Sequence, residues 1–195
     1  MGFFRTKREK NSPPPFSDPI VIYHITQSLD GRLTVTPNSS TCNTYHIVLE
    51  KPKTFHESIS VSVVHANGAY SRAAQQGAVV GHCVTRVSTG KPLKFSVSEN
   101  RCFKFRHSGR GSSSKYTLET GVGTLKHATW VHDSLPARTK SDSRLRLENG
   151  NGVLARFAGA GDSVSEFGKL EIYHRGQSVE DAGIDWCGLV ILTAA

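Results

Sequence analysis

From residue 20 onward, apolar and polar residues alternate in short runs separated by clusters of Gly, Pro, Asn and Ser. Alternation with period two sends successive side chains to opposite faces of an extended chain, which is the signature of a half-buried strand. It predicts strands over residues 20–26, 32–36, 44–50, 59–65, 77–87, 93–97, 101–107, 115–120, 127–132, 144–149, 152–158 and 167–174. The first two are joined through Asp30-Gly31, a favoured hairpin pair. No internal repeat interrupts the pattern.

The pattern changes at the C-terminus. Residues 181–195, DAGIDWCGLVILTAA, are apolar on every side rather than along one stripe. A helix without a polar face has to be enclosed. At about 15 residues it would reach roughly 22 Å, short of the ~20 apolar residues that cross a bilayer, so it reads as a core helix. A sheet of about twelve strands must also close or split to hide its edges. A closed antiparallel barrel around the hydrophobic C-terminal helix meets both demands, and the predicted fold class is accordingly mainly β.

Residues 1–19 are of a different kind and predict a disordered, basic, proline-containing tail ahead of a barrel domain at 20–195. Gly2 and Thr6 fit the M-G-x-x-x-[ST] pattern of N-myristoylation, although the bulky Phe3 suits the acyltransferase poorly. Arg5, Lys7, Arg8 and Lys10 follow. One acyl chain anchors marginally and a polybasic patch supplies the second attraction, about 1 kcal/mol per cation near an anionic leaflet. Pro13, Pro14 and Pro15 form a stiff spacer.

Charge extends this reading to the whole chain. Lys and Arg number 24 against 16 Asp and Glu, a formal charge of +8, which favours an anionic partner. The expected partner is an anionic phospholipid surface or an acidic protein. Nucleic acid is the weaker branch because aromatic residues for base stacking are scarce. Cys42, Cys83, Cys102 and Cys187 lie far apart without a C-x-x-C spacing and read as reduced packing residues. With no apolar secretory segment and no transmembrane segment, the expected location is cytoplasmic and peripheral at the plasma membrane.

Catalytic patterns are absent from the sequence. Among nine histidines there is no H-E-x-x-H, and neither a G-x-S-x-G elbow nor a phosphate loop occurs. His127 and His132, five apart, fall on opposite faces of one strand, which suits no shared metal. Asp133 and Asp142 next to His132 would offer an acid and a base, but a loop of mixed charge explains them without chemistry. No catalytic residue, metal or cofactor is expected. Cation pairs two apart on a strand share a face, and two such pairs are the candidate phosphate contacts: Lys104 with Arg106, and Arg144 with Arg146. Exposed charges that keep a strand soluble are the simpler explanation of each pair.

The element order resembles the tubby C-terminal-like superfamily, whose relatives include phospholipid scramblases and LURP-one-related proteins. The residues that carry the likeness are ISVSVVHANG (59–68), GAVVGHC (77–83), RCFKFRH ahead of KYTLET, HATWVH, GVLARFA followed by GKLEIYHRG, and the closing helix. The resemblance implies a twelve-stranded barrel threaded by a hydrophobic helix. It also implies phosphoinositide recognition by a Lys and an Arg close together on the barrel surface, although no headgroup motif of that family aligns here residue by residue. The expected function is a non-enzymatic, membrane-peripheral module that recognises anionic phospholipid or phosphoinositide through a basic surface. The alternatives are a protein-binding scaffold without a lipid ligand and, lower, an enzyme with its site at a barrel mouth.

Overall fold

The computed structural model describes residues 18–29, 31–50, 58–66, 79–86, 92–97, 101–109, 114–121, 126–133, 144–160, 165–176, 180–181 and 183–194. The N-terminal candidates Gly2, Arg5, Lys7, Arg8 and Lys10 lie outside them. The strands are β1 Val21–Gln27, β2 Leu33–Pro37, β3 Tyr45–Glu50, β4 Ser58–His65, β5 Val79–Arg86, β6 Pro92–Val97, β7 Arg101–Cys102 and β8 Lys104–Ser108. Then come β9 Lys115–Glu119, β10 His127–His132, β11 Arg144–Asn149, β12 Gly152–Gly159 and β13 Glu166–Ile172, followed by one helix, α1, Trp186–Ala194.

All thirteen segments belong to one sheet in the order β7-β6-β5-β4-β3-β2-β1-β13-β12-β11-β10-β9-β8. Apart from β7 and β8, which do not pair with each other, strands adjacent in sequence pair antiparallel, and β1 pairs with β13 from Val21 against Ile172 to Thr26 against Glu166. The two ends of the order, β7 and β8, are halves of one strand bent at Phe103. Arg101 and Cys102 pair with Val97 and Ser96 of β6, and Lys104 to Ser108 pair with Glu119 back to Lys115 of β9. The Phe103 N–H donates to the Phe95 carbonyl at 3.2 Å. Counted as one strand, this segment makes an up-and-down barrel of twelve, and its sharing between β6 and β9 joins two edges that would otherwise be open.

Alternation decides what faces inward. Val21, Tyr23 and Ile25 of β1 are buried, as are Leu33, Val35, Tyr45, Ile47, Val61, Val63, Leu118, Trp130, Leu147 and Leu170 on the strands that follow. Two bulges add an extra inward side chain each. The register steps from Val63 opposite Gly81 to Val64 opposite Val79, so Val80 and Gly81 are both buried. It steps again from Leu147 opposite Ala155 to Glu148 opposite Val153, which turns both Leu154 and Ala155 to the core.

The helix lies inside this ring. Leu189, Val190, Ile191 and Leu192 are exposed by 0, 0, 1 and 3%. Four successive residues at 100° steps look in nearly every direction around a helix axis, so burial of all four means enclosure rather than packing along one side. Strands from around the barrel reach it. Trp130 Nε1 on β10 donates to Thr193 Oγ1 at 2.9 Å, Trp186 Nε1 donates to the His174 carbonyl past β13 at 2.7 Å, and the bulged Val80 of β5 rests on Gly188. A Cβ at Gly188 would overlap Val80 Cγ1, which is why this position of an apolar helix carries glycine.

The helix is shorter than the apolar run. Gly183 adopts φ 74° and its N–H closes a turn onto the Glu180 carbonyl at 2.7 Å, which ends one chain direction before Asp185 starts the next. The nine helical residues span about 13 Å. Among the described residues no helix is long and apolar enough to cross a membrane.

Candidate functional site

The outer wall of β8 to β13 carries a series of cations and carboxylates set against one another across neighbouring strands. Lys104 and Arg106 both point outward from β8 and are exposed, while Phe105 between them packs against the core. Their shared neighbour is Glu119 of β9. It stands opposite Lys104 in register, and its Oε1 lies 3.5 Å from Arg106 Nε. Arg106 is 63% exposed and Glu119 25%, so the arginine remains reachable while its counter-ion is half-sunk in the wall. On the other side of Glu119 stands His127 of β10, also exposed.

Arg144 and Arg146 point outward from β11, three strand spacings or about 14 Å from β8. The two pairs therefore share one side of the barrel but cannot grip a single phosphate. They also differ in engagement. Arg146 Nε lies 2.9 Å from Glu148 Oε2, and Arg146 Nη1 lies 3.6 Å from Asp133 Oδ1. Arg156, opposite Arg146 on β12, brings its Nε to 3.4 Å from Asp133 Oδ2. Asp133 is thus held between two arginines with its side chain 5% exposed. Its charge is committed to holding β10, β11 and β12 together, which gives it a structural role; Asp142 lies outside the described residues. Arg144 has interactions of its own and is not a free cation.

A second carboxylate anchors the next strand. Lys169 Nζ sits 2.8 Å from Glu171 Oε1, and the Tyr173 hydroxyl donates to Glu171 Oε2 at 2.6 Å. Burial pushes the Glu171 carboxyl up, but the hydrogen bonds from Lys169 and Tyr173 and the charges of Lys169 and Arg156 outweigh it and hold the group below its usual 4.5. The folded state therefore favours the ionised form. Its contribution to stability is complete above about pH 4.5 and is lost as pH falls through the lowered folded value. Glu171→Gln should consequently lose less stability than the parent between pH 5 and pH 3, read as the shift of the urea midpoint. An equal loss in both proteins would remove Glu171 from the acid response.

The other polar cluster seats the helix at one end of the barrel. Asp185 Oδ1 accepts the Gly188 N–H at 2.9 Å, capping α1, and the Tyr45 hydroxyl donates to Asp185 Oδ2 at 2.9 Å. His65 Nε2 lies 3.4 Å from the same Oδ2, with its ring 5.1 Å from that of Tyr45. Burial, then the charge of Asp185, keeps the Tyr45 hydroxyl protonated. The buried Tyr23 hydroxyl faces the Cys187 thiol. Burial pushes the Cys187 thiol up to about 12 and Cys83 up to about 11, so both favour the thiol form at neutral pH. Cys42, Cys83 and Cys187 are free. Among the described residues no group of three or more His, Cys, Asp or Glu is placed to hold a metal.

Glu119, Arg156 and Glu171 were not among the residues the sequence singled out, and Asp133 was weighed there only as an acid-base partner of Asp142, not as a counter-ion of Arg146 and Arg156. Neither Arg156 nor Glu119 could be placed by counting from a turn. The tight connection between Asn149 and Gly152 makes β11 and β12 a hairpin, yet counting back along it sets Arg146 against Ala155, and only the bulge between Leu147 and Glu148 brings Arg156 opposite. The pairing of β8 with β9 crosses a longer connection, so the position of Glu119 beside Lys104 was not countable either.

Fold and outer wall together define a class: an up-and-down antiparallel barrel, filled by its own C-terminal helix, with a wall of paired charges on one side. No family model, curated protein or solved structure matches the chain.

Proposed function

We propose that this protein is a non-enzymatic, membrane-peripheral module that binds anionic phospholipid, phosphoinositides included, through the outer face of β8. Lys104 and Arg106 make the first contacts, and the N-terminal Gly2, Arg5, Lys7, Arg8 and Lys10 give a second attachment. The observation that carries this reading is the contrast between the two cation pairs. Arg146 is engaged by Asp133 and Glu148, whereas Lys104 and Arg106 are exposed side by side with one carboxylate between them. A guanidinium fork and an ammonium two residues apart can share the oxygens of one phosphate. The +8 charge draws the whole molecule toward an anionic surface. Kinship with the tubby C-terminal-like domains is part of the proposal and is supported by the common plan of a twelve-stranded barrel around a helix.

The test is co-sedimentation of the full chain with neutral and anionic vesicles across a salt series. Binding to anionic vesicles alone, weakening with salt, is expected. With about 1 kcal/mol per cation at the surface, Lys104→Glu with Arg106→Glu should weaken binding by roughly 30-fold or more. Equal binding to neutral vesicles, or no effect of the double reversal, would remove β8 as the site. Failure to bind any vesicle would turn these cations toward an acidic protein partner.

A further inference from the structure

We infer that Glu119 is a built-in counter-ion that sets the charge an anion must carry to enter the Lys104–Arg106 site, so that the site selects phosphomonoesters over phosphodiesters. The inference rests on the lipid-binding reading of that site. Three basic side chains surround this one carboxylate: Lys104 opposite in register on β8, Arg106 with its Nε at 3.5 Å, and His127 opposite in register on β10. The carboxylate is 25% exposed and Arg106 63%, so the guanidinium can swing to a ligand while Glu119 stays in the wall beneath it.

The consequence follows from charge and oxygen count. A phosphodiester headgroup carries a single charge on its phosphate, and on meeting this site it replaces one carboxylate by one monoanion with little gain. A phosphomonoester carries close to two charges and three acceptor oxygens at neutral pH. It can satisfy Arg106 through two oxygens and Lys104 through the third, and it outcompetes Glu119 for both. The same chemistry is offered by free inorganic phosphate, which lacks the surrounding surface that concentrates the protein's other cations.

The experiment compares the parent chain, Glu119→Gln and the Lys104→Glu/Arg106→Glu double variant on neutral vesicles doped, at matched total charge, with a phosphomonoester lipid or a phosphodiester lipid. Inorganic phosphate serves as a soluble competitor. Glutamine has the shape of glutamate without its charge, and melting curves establish that each variant is folded. The parent should prefer the phosphomonoester vesicles. Glu119→Gln should gain about five-fold on the phosphodiester vesicles, one charge's worth of attraction, and less on the others. Strong competition by millimolar phosphate would assign the site to the free ion, and weak competition to the headgroup; either keeps Glu119 as the counter-ion. If Glu119→Gln equals the parent on both lipids while the double reversal abolishes binding, the counter-ion role is overturned and the lipid-binding reading stands. If neither the parent nor Glu119→Gln binds any vesicle, both fall.

Discussion

Leu189→Asp is expected to yield no folded barrel. Leu189 is fully buried at the middle of a helix whose next three residues are buried too, so no rotation of α1 brings position 189 to solvent. Loss of the leucine contacts alone costs about 2–5 kcal/mol. The new carboxylate would either remain charged in an apolar interior or be forced to protonate, at several kcal/mol more. The sum exceeds roughly 5 kcal/mol, comparable with the whole stability of a typical domain, about 5–15 kcal/mol. Far-UV circular dichroism and soluble yield give the readout, with Leu189→Met as the volume-conserving control, expected to cost under about 1.5 kcal/mol and to fold. A soluble Leu189→Asp protein melting cooperatively near the parent temperature would mean that the helix is not enclosed.

Asp185→Ala should be the next most damaging change, because one carboxylate serves two elements. It caps the helix through the Gly188 N–H, and it accepts the hydroxyl of Tyr45, whose ring is 1% exposed. Losing a cap costs about 1 kcal/mol, and a buried hydroxyl left without its acceptor costs about 1–3 kcal/mol. Together these give roughly 2–4 kcal/mol and a fall in Tm of roughly 5–15 °C for a chain of this size. Tyr45→Phe keeps the cap and removes the orphaned hydroxyl, so it should cost less by itself. Added to Asp185→Ala, it should recover part of the loss. Strict additivity of the two changes in a double-mutant cycle would show that the hydroxyl and the carboxylate act independently, contrary to the 2.9 Å contact.

The extent to which the fold was legible varied by element, and for physical reasons. Strand positions followed from alternation because each strand has one face on the core and one on water, as in β1, where Val21, Tyr23 and Ile25 are buried and His24 is exposed. The bulges were not legible. Val80 and Leu154 read as ordinary members of apolar runs, and only the partner strand shows which residue is extra. The break at Phe103 was hidden likewise, since Cys102, Phe103 and Phe105 form one apolar cluster in the sequence. The start of α1 shifted from residue 181 to Trp186 because Gly183 in its left-handed conformation and the Asp185 cap set the boundary, and the apolar content of the preceding residues does not.

For the charged face, the sequence identified outward cations by parity alone, and parity placed Lys104 and Arg106 in solvent correctly. It treated Arg144 with Arg146 as an equivalent pair, and the structure separates the two cases. Arg146 meets Asp133 from a neighbouring strand, and Asp133 also holds Arg156.

By itself, then, the sequence determined the class of fold. Period-two alternation fixes strands and their two faces, and an apolar run too short for a bilayer with no polar stripe fixes an enclosed helix. What tertiary structure alone decided is how the ring closes and which charges remain available. Closure depends on Arg101–Cys102 choosing β6 while Lys104–Ser108 choose β9, a split that no local propensity encodes. The state of each cation depends on carboxylates brought beside it from other strands, with Glu119 next to Arg106 and Asp133 between Arg146 and Arg156. Electrostatic interactions act over a few ångströms in space, and distance along the chain says little about them until the strands are in register.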